Sequence, residues 1–101
     1  MGSRLELQGL LERVLGSKSA YFQPPENIKM SYPAIAYSLD DIWHDHADNR
    51  PYISKNAYQI ILIDPDPESK FVKEIISMPL CSFDRFYVAE NLNHWVFTLY
   101  F

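Results

Sequence analysis

Cysteine occurs once in the 101 residues, at Cys81. An internal disulfide is therefore excluded, and a lone thiol suits a reducing cytoplasm. Positive charge is also in short supply: 9 Lys and Arg stand against 13 Asp and Glu, for a formal net charge of −4. The lysines are scattered and offer no basic stripe to a phosphate backbone, so specific nucleic-acid binding is not expected. No apolar run approaches the ~20 residues that span a bilayer. Arg4, Glu6 and Glu12 interrupt the stretch where a signal peptide keeps its apolar region, and Glu6 stands where a myristoylation signal requires Ser or Thr. The expectation is a soluble protein, intracellular when made, with no membrane partner. There is no G-x-S-x-G, P-loop or dinucleotide fingerprint, no internal repeat and no low-complexity segment.

What the chain does have is apolar and aromatic mass, 48% hydrophobic and 15% aromatic. Its length makes residues 1–101 one domain, burying about 65% of the surface of its unfolded chain. The aromatic share fits either a filled core or rings lying in interfaces, where aromatics are enriched. The organising stretch is Ala57-Tyr58-Gln59-Ile60-Ile61-Leu62-Ile63-Asp64, apolar at nearly every position and stopped by the turn-forming Asp64-Pro65-Asp66-Pro67. A run this short reads as a central strand buried on both faces.

Residues 3–15 form the clearest helix. Ser3 and Glu6 make a capping box; Leu7, Leu10, Leu11, Val14 and Leu15 make one apolar stripe; Gly16 suits the left-handed position beyond the end. Gly9, costing about 1 kcal/mol inside a helix, suggests a close neighbour there. Tyr21-Phe22 can pair briefly with a sheet edge before Pro24-Pro25. Pro33 to Leu39 reads as a strand with Ile35, Tyr37 and Leu39 on one face. Ala34, Ala36 and Ser38 occupy the other, where their small size invites the first helix. Further on, Asp66 is read as the N-cap of a second helix with Pro67 and Glu68 in its first turn. Phe71, Val72, Ile75 and Ile76 form its apolar stripe, and Pro79 ends it. Strands about Ser82 to Val88 and Asn93 to Phe101 follow, joined by a loop over residues 89–93. The expected fold is α+β: a small, mainly antiparallel sheet of about four strands, two helices packed on it, and a long projecting hairpin or loop.

That projection is residues 40–56, dense in charge from Asp40 and Asp41 to Lys55. A structureless loop of this length is unusual in a compact domain, so two strands extended into an arm with 47–50 at the tip are favoured. Within it, His44, His46 and Asp48 share one face of a strand and could offer imidazole and carboxylate to zinc, manganese or iron. No fourth protein ligand is evident nearby, and a solvated acidic arm explains the cluster as well. Asp40 and Asp41 point to opposite sides of a strand and cannot act on one bond. Cys81 has no local base and reads as a buried or half-buried small residue; His94 reads as structural. Enzyme is the minority reading; no metal, cofactor or catalytic residue is assigned.

The segment Leu80 to Phe101, with Leu5-Glu6-Leu7-Gln8, Tyr21-Phe22-Gln23-Pro24-Pro25 and Tyr32-Pro33-Ala34-Ile35, resembles small proteins from the morphogenesis cluster of tailed bacteriophages and prophages. These are described as tail terminator, tail completion (head–tail joining) or minor capsid proteins, and the resemblance runs over nearly the whole chain. It implies a structural neck protein of the virion, assembled in the host cytoplasm. Tail terminators form a ring, usually a homo-hexamer, that caps the tail tube protein, ends its polymerisation and presents a docking surface to the head connector. An adaptor at the head–tail connector, or a minor capsid protein, is the alternative. An acidic lumen would repel DNA and let it slide through. Trp43, His44, His46, Asp48, Arg50 and Tyr52, from the arm, are the expected subunit or tail-tube interface. A ring predicts self-association without turnover; a metal enzyme predicts an ion at His44, His46 and Asp48; an adaptor for one host protein predicts a monomer.

Overall fold

In the computed structural model of the chain, residues 3–47 and 50–101 are described, apart from the side chains of 41–55. Ser3 opens α1 (Arg4–Leu15): its hydroxyl accepts from the Glu6 N–H at 3.2 Å, and the Glu6 carboxylate accepts from the Ser3 N–H at 3.2 Å. Both orphan donors expected of the capping box are thus satisfied. Gly16 closes the helix at φ 70°, a conformation that costs any Cβ-bearing residue more. Leu7, Leu11 and Leu15 are buried, with Val14 packed beside them.

Gly9 does not behave as expected. A Cβ placed on it meets nothing within 4 Å, so no close neighbour requires the glycine. Gly9→Ala should therefore stabilise the protein by about 0.5–1 kcal/mol, through helix propensity and a less free unfolded chain. Urea melts of the two proteins check this; a destabilised variant would mean that something does approach the helix there.

The strands are β1 (Ala20–Phe22), β2 (Ala34–Ala47), β3 (Arg50–Asp64), β4 (Cys81–Ala89) and β5 (Leu92–Tyr100), with α2 (Phe71–Ile76) between β3 and β4. They form a single five-stranded sheet in the order β1-β2-β3-β5-β4. The α+β class holds, but the sheet has one strand more than expected and is mixed. Three residues of β1 run parallel to β2, pairing Ala20 with Ile35 and Phe22 with Tyr37. The other pairings are antiparallel.

Register lines up the large side chains in rows. Tyr37, Ile60 and Phe97 face one another across β2, β3 and β5, as do Ile35, Leu62 and Trp95. Both helices lie on this side, where Leu7, Leu11, Phe71 and Ile75 join the rows in one core. The first helix thus covers Ile35 and Tyr37, not the small-residue face of Ala34, Ala36 and Ser38. Area decides the matter: each large apolar side chain withdrawn from water is worth about 1.5–3 kcal/mol, which alanines cannot match. Burial of the central strand is correspondingly unequal. Tyr58, Ile60 and Leu62 lie in the helix-covered core, whereas on the opposite side Gln59 and Ile61 are half-buried and only Ala57 and Ile63 are buried.

Beneath α1 a polar string ties helix to sheet. The Tyr37 hydroxyl donates to Gln8 Oε1, and Gln8 Nε2 donates to the Ala20 carbonyl and to Glu12 Oε2, both at 2.9 Å. Burial pushes the Tyr37 phenol above its usual pKa, against the opposing pull of Arg4. Among the described residues, no buried side-chain polar atom lacks a partner.

The second helix is shorter than its sequence suggests, and Asp66 does not cap it. Asp64 Oδ1 accepts from the Asp66 N–H at 2.9 Å, and Asp66 Oδ1 accepts from the Glu68 N–H at 2.9 Å. These two-residue turns hold 64–68 out of the helix, since short polar side chains offer the backbone an alternative partner. Helix begins only at Phe71, with Lys70 at the N-cap and no side-chain cap. Phe71 and Ile75 are buried, but Ile76 is exposed. The buried Asn93 secures the same corner, its amide donating to the Asp64 and Pro65 carbonyls at 3.1 Å each. Next to that corner, a two-residue turn at Glu90 and Asn91 (φ 53° and 62°) joins β4 to β5 and replaces the five-residue loop expected. Positive φ at both positions suits the twist of a tight hairpin.

Candidate functional site

Beyond the sheet, β2 and β3 continue as a two-stranded arm. β1 pairs with β2 only as far as Tyr37, and β5 pairs with β3 only from Ala57 onward. Past that point the ladder runs from Ile42 opposite Asn56 to Ala47 opposite Arg50. Six residues of strand reach about 20 Å, and the molecule measures 51 × 23 × 22 Å. Two irregularities mark the arm. Asp40 is an extra residue between the Leu39–Tyr58 and Asp41–Ala57 pairs, and Tyr52 is extra between Asp45–Ile53 and His46–Pro51. A bulge bends its strand and sharpens the twist, and the first of the two lies where the arm leaves the sheet, at Asp40.

The expected interface residues fall on this arm. Trp43 lies opposite Lys55, His44 opposite Ser54, His46 opposite Pro51 and Arg50 opposite Ala47, with Tyr52 at the second bulge. Their side chains lie outside the described residues, and Asp48 lies outside them altogether. The His44, His46 and Asp48 trio therefore falls in this stretch. Among the described residues, no group of three His, Cys, Asp or Glu side chains converges as a metal site would.

Two further surfaces went unassigned in the sequence. The helix-free side of the sheet carries a stack at its β4 end. The Tyr87 ring lies 4.6 Å from His94 at an interplanar angle of 10°, with the Arg85 guanidinium 5.6 Å from the Tyr87 centroid. His94 also places Nδ1 3.1 Å from the Leu92 carbonyl oxygen, a structural role. Beside the stack, the Thr98 hydroxyl donates to Asp84 Oδ2 at 2.6 Å. On the core side, β4 ends the sheet with its own apolar residues uncovered: Phe83 is 48% exposed, Phe86 46% and Val88 60%, with Leu80 at 57% just before the strand. Phe83 touches Phe97 edge-on at 5.7 Å and Phe86 leans on Trp95 at 5.3 Å, so one side of each ring is packed and the other is bare.

That row hides in the sequence because the strand bulges. Phe83 pairs with Phe97 and Arg85 with Val96, leaving Asp84 as the extra residue. The two phenylalanines are therefore three apart, where alternation would put them two apart. A Phe-x-x-Phe spacing inside a strand, with both charges between, is the signal that identifies such a bulge.

Concavities also lie elsewhere among the described residues. One, about 520 Å³, opens between 67–73 and Trp95, with Lys70 and Lys73 at its rim. Ser69, in its wall, has its oxygen engaged by the Phe71 N–H at 3.4 Å. Another, about 300 Å³, is a shallow groove where Gln23 and Pro24 cross Ala36, Ser38 and Ile61. The first brings Glu68, Ser69, Lys70 and Lys73 into one lining, with the Ser69 oxygen already taken up by that backbone contact. Cys81 is half-buried, and burial, with Asp84 nearby, raises its thiol pKa; that favours the inert protonated form over a nucleophilic thiolate. No helix among the described residues is long and apolar enough to cross a membrane. No family model, curated protein or solved structure matches the chain.

Proposed function

We propose that the chain is a structural subunit of a tailed-phage neck, a head-to-tail ring of six copies that caps the tail tube, ends its polymerisation and offers the head its docking surface. The resemblance of the sequence to tail terminator and tail completion proteins motivates this reading. The observation that carries it is the two-stranded arm from Ile42 to Asn56, which projects from the sheet with only its own two strands paired. Such an arm can lie on an adjacent subunit or on the tube below without disturbing the core that holds the domain together. Its sequence supplies Trp43 and Tyr52 among charged residues, the composition of an interface with aromatic anchors and a polar rim. A heterologous contact of this kind closes by rotation into a ring. The net charge of −4 favours passage of DNA through the lumen over its retention.

Cryo-electron microscopy of the protein mixed with purified tail tubes tests the proposal. The expected image is a sixfold ring at one end of each tube. A twofold dimer seated there, or a bare tube end, overturns it. Density found on the head connector alone would assign the chain the adaptor role instead.

A further inference from the structure

β4 is the long edge of the sheet, nine residues with one side paired to β5 and the other at the rim. Edge strands of this length are ordinarily blunted, because unpaired N–H and C=O groups template pairing with another chain. Here a bulge and two charges, Asp84 and Arg85, sit at mid-strand and would discourage an arbitrary partner. They do not discourage a second copy of the same strand. We propose that the free chain pairs with a second copy of itself through β4, antiparallel, about a twofold axis passing between Asp84 and Arg85.

Every pair that this axis creates is complementary. Asp84 of one copy faces Arg85 of the other, twice over, placing opposite charges directly across the strands. Phe83 faces Phe86, Ser82 faces Tyr87, and Cys81 faces Val88. The faces agree as well as the residues. Asp84 bonds to Thr98 and Arg85 lies over Tyr87, so both are on the helix-free side. Phe83 and Phe86 are both on the core side, against Phe97 and Trp95. This agreement depends on the bulge: in a regular strand Asp84 and Arg85 would point to opposite sides and could not meet across the axis. A bulge facing the same bulge keeps the ladder in step. The half-exposed rings of the two copies then form one continuous apolar row, which explains why Phe83, Phe86 and Val88 are left uncovered in the single chain.

The contact is isologous, so it belongs to the free protein and is separate from the head-to-tail contact of the ring. It does not rest on the ring reading, since it is measured in solution without tail tubes. Sedimentation of the purified chain across the micromolar range is expected to show a monomer–dimer equilibrium. Arg85→Asp and Asp84→Arg, each placing like charges across the axis, should each weaken the dimer about tenfold or more. The double swap Asp84→Arg with Arg85→Asp should restore it, because complementarity across the axis is regained. Hydrogen exchange at the β4 amides should slow as concentration rises. A wild-type chain that stays monomeric, a dimer indifferent to the single substitutions, or a double swap no better than either single one would each overturn the proposal.

Discussion

Phe97→Ala is expected to cost about 3–5 kcal/mol of unfolding free energy. Phe97 is fully buried at 0% exposure and stands in the row that joins β2, β3, β5 and β4, opposite Ile60 on one side and Phe83 on the other. Removing the ring leaves a cavity walled by a sheet and two helices, elements that cannot all close inward at once, so relaxation recovers little. Against the ~5–15 kcal/mol typical of a domain this size, the variant stands near the limit of folding. Phe83→Ala is the comparison. Its ring is 48% exposed at the rim and should cost well under half as much, since much of its area already faces water. Urea denaturation with both variants measures the contrast. A loss below about 1.5 kcal/mol for Phe97→Ala, or equal losses for the two, would mean that the rows of the sheet are not the centre of stability.

Replacing residues 42–53 by an Asn-Gly turn should abolish tail completion while leaving cooperative melting in place. The core residues from Leu7 to Leu99 lie outside the excised stretch, and the last pairs retained, Asp41–Ala57 and Leu39–Tyr58, keep β2 and β3 in register. Asn-Gly with the retained Ser54, Lys55 and Asn56 makes a five-residue connection from Asp41 to Ala57, within the usual length of a hairpin loop. Loss of function with the fold intact separates an assembly element from a stabilising one. Phage produced with the shortened protein should show tails of abnormal length or heads without tails. Normal tails joined to heads would remove the arm from the mechanism, whatever the fate of the ring.

Several elements were legible because their causes are local. The capping box of Ser3 and Glu6, the stripe of Leu7, Leu11 and Leu15, and Gly16 beyond it all act within one turn of helix, so spacing alone identified α1. The central strand and the arm were legible for a related reason. Alternation and β-branching identify β3, and the length of 40–56 makes a paired hairpin the economical connection.

Other features depended on what lies across from a residue. Which side of β2 the helix covers was settled by Ile60, Leu62, Trp95 and Phe97 on neighbouring strands, which make the large-residue face the larger burial. Gly9 invited a close neighbour, yet nothing approaches it. Asp66 has the chemistry of a helix cap, but with Asp64 two residues earlier the same carboxylates form successive turns instead. The uncovered row on β4 depends on a bulge opposite Val96, and on β4 falling at the rim of the sheet order. The sequence by itself thus determined the α+β class, the first helix, the central strand and the arm, because hydrogen-bonding period and capping are set by residues within a few positions of one another. Only the tertiary structure decided the covered face, the short second helix and the bare edge, because these follow from contacts between residues distant in the chain.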